Sequence, residues 1–131
     1  MDKILTGIYS LYNSNVALKA AIPGGLHLDI APPKTALSYC TFNVQNGPDY
    51  MLGGSRYEIV RVQFDLYADT HIKRLTAYKS LIALYDDSRP AATGYTSILM
   101  ERQQGALMLR EGKENEFYRY HIPYDCRYLK S

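Results

Sequence analysis

The side chains of this sequence that could do chemistry are few: His27, His71 and His121, Cys40 and Cys126, the adjacent Asp86 and Asp87, and Asp65 with Asp69. Metal ligation needs several His, Cys or carboxylate groups brought together, and no CxxC, HExxH or EF-hand spacing occurs. The three histidines are scattered and read as surface or sheet-edge residues. Nucleophilic catalysis lacks a GxSxG elbow, and a Cys–His pair of Cys40 or Cys126 with His121 would need sheet neighbours that spacing alone does not supply. Asp86-Asp87 closes a helix and begins a loop, while Asp65 and Asp69 straddle the end of a strand, so all four read as solvated acids. The glycine pairs in PGG (23–25) and LGG (52–54) are turns, without the GxxxxGK[ST] or GxGxxG frame that cradles a phosphate. The expectation is a protein with no catalytic residues, no cofactor and no structural metal.

Two periods set the elements that would position these groups. In RYEIVRVQFDLYADT (56–70), Glu58, Val60, Val62, Phe64 and Leu66 alternate with Arg61, Gln63 and Asp65, the two-residue period of a half-buried strand. Thr70 then suits an N-cap, and Ile72, Leu75, Tyr78, Ile82 and Tyr85 recur at helical spacing. Upstream, Ile4, Leu5, Ile8, Leu11 and Tyr12 form a helical stripe, Asn13-Ser14-Asn15 offers a break and a new cap, and Val16 to Ile22 adds a short helical segment. Pro23-Gly24-Gly25 ends it. LHLDIA (26–31) reads as a short strand, and Pro32-Pro33 keeps the chain extended until a strand around Leu37 to Val44, with Cys40, Phe42 and Val44 toward the core. Residues 46–55 read as an exposed loop in which Tyr50, Met51 and Leu52 have no place in the core pattern, which makes it a contact candidate.

DDSRPAATG (86–94) reads as a loop, and Tyr95 to Gln103 and Leu107 to Arg110 as two strands joined near Gln104-Gly105. The closing alternation sets Tyr118, Tyr120, Ile122, Tyr124, Cys126 and Tyr128 on one face, and Arg119, His121, Asp125 and Arg127 on the other. Pro123 cannot donate to a ladder, which implies an edge strand or a bulge there. Helix, three strands, helix, three strands, with short connections, predicts one α+β domain over residues 1–131. Its sheet is mostly antiparallel, of about five to six strands, with two main helices packed on one face. The opposite face, with Arg61, Gln63, Arg119 and Arg127, is left for water or for another subunit.

A chain of 131 residues can bury a core without disulfide or metal staples. Its 15 Lys and Arg against 13 Asp and Glu form no dense basic block, which argues against general DNA binding. The 13 Tyr, against 3 Phe and no Trp, suggest rings that keep their hydroxyls at a wet boundary suited to contact. Both thiols are expected buried and reduced. With no basic start, apolar h-region or cleavage site, the expected origin is cytoplasmic, and no apolar run is long enough to span a bilayer.

Four stretches, SNVALKAAI (14–22), TALSYCTFNV (35–44), YEIVRVQFDLYADT (57–70) and YRYHIPYDCRY (118–128), together resemble the tail terminator, or tail-completion, family of long-tailed bacteriophages and prophages. VQFDLYAD carries most of that resemblance, as a pattern of residue types and not as a catalytic signature. The resemblance implies a small α+β subunit that forms a ring, usually a hexamer, at the head-proximal end of the tail tube. There it would stop tube polymerisation and dock to the head connector, within a virion assembled in the bacterial host cytoplasm. The partners implied are further copies of itself, the tail-tube protein and a head-completion or connector protein, with DNA passing through the ring unrecognised and no membrane contact. The expected interface comprises Tyr50, Met51 and Leu52 with Arg61, Gln63, Arg119 and Arg127. Two other readings stand beside it. One is a head–tail connector or minor tail protein; the other is a cellular α+β module holding a small ligand in a cleft between helices and Tyr-rich sheet.

Overall fold

A computed structural model describes residues 4–52, 55–92, 94–103, 107–111 and 117–130, and their side chains except at 46–52, 55–57, 97, 98, 107–111, 117 and 130. The elements run α1 (Leu5–Asn13), α2 (Val16–Ala21), β1 (Leu26–Leu28), β2 (Tyr39–Leu52), β3 (Ser55–Ala68), α3 (His71–Tyr85), β4 (Tyr95–Arg102), β5 (Leu107–Glu111) and β6 (Phe117–Lys130). The sheet order is β1-β2-β3-β6-β4, with β5 also paired to β6. Among the described strands only β1 and β2 run parallel, so the sheet is mixed but mostly antiparallel, and the fold is α+β.

Helix starts follow the sequence closely. The Asn15 side chain accepts from the Leu18 amide at 2.7 Å, and the Thr70 hydroxyl accepts from the Lys73 amide at 3.1 Å. Each satisfies a first-turn donor that a helix leaves without an internal partner, worth about 1 kcal/mol.

The even positions of β3 and β6 build the core. Val60, Val62, Phe64 and Leu66 lie beside Ile122, Tyr124, Cys126 and Tyr128, with Cys40 and Phe42 from β2, all beneath Ile4, Ile8, Leu18, Ala77, Leu81 and Tyr85 of the helical layer. Burying each large aliphatic side chain contributes about 1.5–3 kcal/mol. Phe64 is the hub, its ring 4.7 Å from that of Tyr85, 5.8 Å from Tyr124 and 5.9 Å from Phe42. Three tyrosines depart from the boundary role that composition suggests. Tyr85, Tyr124 and Tyr128 are fully buried, and their hydroxyls donate to the Ile8 carbonyl, the Asp86 carboxylate and the Pro90 carbonyl at 2.9, 2.6 and 3.1 Å. A buried hydroxyl must find a partner, and these three tie sheet and helix to the segments that cover them.

Three expectations are corrected. Residues 46–52 are not loop: they extend β2, paired to β3 as far as Leu52 opposite Ser55, with a bulge between Asn46 and Asp49 that absorbs the Gly47-Pro48 pair. The buried face of α3 is rotated from the predicted stripe. Arg74, Ala77, Leu81 and Tyr85 face inward while Ile72 is 76% exposed, because the Arg74 guanidinium lies over the rings of Tyr118 and Tyr120 at 5.0 and 4.8 Å. Finally, β6 is not an edge strand. The Pro123 carbonyl accepts from the Gln103 amide at 2.9 Å, so its donorless nitrogen faces the same side, where β4 has ended and β5 not yet begun.

Candidate functional site

The odd positions of β3 and β6 point away from the helices, and register sets them in rows. Arg61 stands opposite Asp125, Gln63 opposite Pro123, Asp65 opposite His121 and Tyr67 opposite Arg119. On the outer strands Glu101 continues the first row, and Thr41 and Asn43 continue the others. Ion pairs run within and between the rows: Arg61 Nε to Asp125 Oδ1 at 3.0 Å, Arg119 Nη2 to Asp65 Oδ1 at 2.9 Å, and Arg127 Nη2 to Glu101 Oε2 at 3.5 Å. His121 Nδ1 lies 2.9 Å from the same Asp65 oxygen that Arg119 uses.

Two of the three carboxylates, Asp65 and Asp125, are sunk beneath their cations, while Glu101 is exposed like its partner Arg127. The side chains of Asp65 and Asp125 are 12% and 13% exposed, whereas those of Arg61 and Arg127 are 47% and 51% exposed. The segment 29–35 borders a hollow with Tyr39, Thr41 and Tyr67. The hydrogen bond and charge of Asp125 hold the Arg61 guanidinium above its ordinary range. Exposed pairs of this kind contribute little to stability. Their larger effect is to fix planar guanidinium groups in place, where they can meet carboxylates or amide carbonyls of another surface.

Acid–base chemistry is less well served. The Asp65–His121 contact has the form of an orienting pair, but among the described residues no Ser or Cys side chain is bonded to it, and both thiols lie on the other face of the sheet. Burial pushes the Cys126 thiol up to about 12, and burial followed by the charge of Asp65 holds Cys40 well above its ordinary value. Asp65 and Asp69 do not act together, since Asp69 pairs with Lys73. Asp86 holds Tyr124 and Arg102. His27 Nε2 meets the Gly24 carbonyl, and His71 Nδ1 meets Arg74 Nη2. Among the described residues no group of three His, Cys, Asp or Glu is placed to hold a metal ion, and no helix is long and apolar enough to cross a membrane.

Open hollows of about 390 Å³ beside Tyr39 and Tyr67, about 240 Å³ between α2 and α3, and about 420 Å³ beside α1 lie at the surface. The space between helices and sheet that a small-ligand module would use is filled by the core cluster.

Of the expected interface residues, Arg61, Gln63, Arg119 and Arg127 share the charged face. Tyr50, Met51 and Leu52 lie on the distal part of β2, their side chains outside the described residues. Of the acids that organise the face, the sequence marks Asp65 as a solvated acid and Asp125 as a polar-face position of the last strand, and does not single out Glu101. The signal that could have found them is the antiparallel match of two alternating stretches, which sets Arg61 against Asp125 and Asp65 against His121.

No protein-family model matches the sequence, and no curated protein matches it. Among solved structures the fold is similar to a chain of the virion of a native gene transfer agent particle, with a TM-score of 0.69 and 12% identity over 93% of this chain and 91% of that one. A second solved chain is similar with a TM-score of 0.53 and 14% identity, over 95% and 94% of the two chains. At such identities the likeness is one of fold.

Proposed function

We propose that this protein is a structural subunit of a phage-like virion and, more finely, a ring-forming tail terminator that stops tail-tube polymerisation and presents the head-joining surface. The observation that carries the coarser reading is the likeness along nearly the whole chain to a component of a gene transfer agent virion. The finer reading rests on the resemblance of VQFDLYAD and its flanking stretches to the terminator family. A ring closes when two different patches of each subunit meet head to tail. The ion-paired face with Arg61, Gln63, Arg119 and Arg127 offers one patch, and the distal end of β2 with Tyr50, Met51 and Leu52 offers another. The subunit then sits at the head-proximal end of the tail, as a hexamer, between tube and head-completion proteins, with DNA passing through without sequence recognition.

Negative-stain microscopy of the purified protein across a concentration series, alone and with tail-tube subunits, tests this. Rings that cap tubes are expected. Rings that ignore tubes but bind a head connector would move the protein to the connector. A monomer indifferent to both would overturn the assembly reading.

A further inference from the structure

Strand β2 has a bare edge. It is fourteen residues long, yet β1 covers only Cys40 to Phe42, and among the described residues no strand pairs with its outer side beyond that point. The direction of its backbone groups follows from two hydrogen bonds. Cys40 donates outward to the Gly25 carbonyl and the Phe42 carbonyl accepts from Asp29, so even positions point out and odd ones point to β3. The bulge shifts that parity, because Tyr50 and Leu52 lie opposite Tyr57 and Ser55, the β3 positions that face β2. The outward-pointing groups are therefore those of Val44, Asn46, Asp49 and Met51.

The far side of the sheet is treated unevenly. The β4 edge is capped by its own chain: Met100 exchanges bonds with Asp87 and Ser88, and the Tyr95 amide donates to Ala92. Among the described residues β5 pairs only with β6, which leaves the backbone groups of Met108 and Arg110 pointing outward. A natural sheet usually blunts its edges, and here the described residues cover one and leave two.

We propose that β5 of a second copy of this chain adds to the distal edge of β2, antiparallel, with Asp49 opposite Arg110 and Met51 opposite Met108. The occupant follows from complementarity. Asp49 is the sole charged residue of 44–52, and this register sets it against Arg110 while pairing methionine with methionine. Because the two edges differ, each subunit would give one and receive the other, the head-to-tail contact that a ring needs. The proposal rests on the ring reading for its occupant alone.

Proline at an outward position deletes the intersubunit donor and leaves the internal ladder intact. Met51→Pro and Met108→Pro are each expected to keep the wild-type melting temperature. Each should weaken association roughly tenfold in sedimentation velocity, the effect of losing one such bond. A second measurement does not depend on those variants folding. In this register Tyr50 and Leu109 face each other as a closely spaced pair, within disulfide reach. Oxidising a mixture of Tyr50→Cys chains with Leu109→Cys chains should give a disulfide-linked dimer of the two kinds, and neither kind alone should. Wild-type assembly with unaffected proline variants and no mixed disulfide would overturn the edge pairing and leave the ring reading standing. A wild type that stays monomeric throughout would overturn both.

Discussion

Cys126 and Cys40 lie in the sheet's core layer, and the environment that hides them also makes the fold sensitive to alkali. Burial lifts the Cys126 thiol from 9.0 to about 12 and holds Cys40 well above 9.0. The folded state therefore keeps protons that the unfolded chain releases, so stability is full below about pH 9 and falls as pH rises toward 12. The loss is about 1.4 kcal/mol per pH unit for each thiol. Burial of Tyr85 and Tyr124 acts in the same direction at still higher pH. Urea midpoints should hold from pH 7 to 8.5 and drop between pH 9 and 10.5, with a shallower drop in the Cys40→Ala, Cys126→Ala variant. Both thiols should resist alkylation at pH 8 until urea is added; rapid labelling of the native protein would contradict their burial.

At the scale of elements, α1 is held close to the segment after α3. A Cβ at Gly7 would stand 2.7 Å from the Ala91 nitrogen and nearer still to its carbonyl oxygen, and backbone cannot give way as a side chain can. Gly7→Ala should thus lower stability by about 1–3 kcal/mol, even though alanine is the better helix former by about 1 kcal/mol. A melting temperature equal to wild type would show that the contact yields. The β3 strand offers a paired test of its two faces. Val62 is fully buried beneath the helices, whereas Gln63 is half-buried on the charged face. Val62→Asp should cost more than about 3 kcal/mol by burying an unpaired charge, and Gln63→Glu should stay within about 0.5 kcal/mol. Comparable losses would mean that the faces are assigned wrongly.

For the whole molecule, the decisive question is whether the distal part of β2 acts in assembly or only in folding. Replacing Tyr50, Met51 and Leu52 together by serine separates the two. As contact residues, their loss should leave the melting temperature near wild type and abolish ring formation and tube capping. As cover for the core, it should lower the melting temperature, with assembly failing only in consequence. Normal rings and normal tail length in a complementation assay would remove these residues from the interface.

Much of this architecture was legible in the chain because it rests on local physics. The alternation of Val60 to Leu66, the caps at Asn15 and Thr70 and the Tyr120 to Tyr128 face follow from backbone periods and hydrogen-bond needs that act within a few residues. What the tertiary structure alone decided is everything that depends on which strand lies beside which. Register placed Asp65 under Arg119 and His121, and Asp125 under Arg61. The stack of Arg74 on Tyr118 and Tyr120 turned α3 away from its most apolar stripe. Glycine and proline at 47 and 48, read as marks of a loop, were absorbed by a bulge, since long pairing with β3 satisfies more backbone groups than a loop would. Periodicity tells a strand which face to bury; only its neighbours determine whose charges it meets.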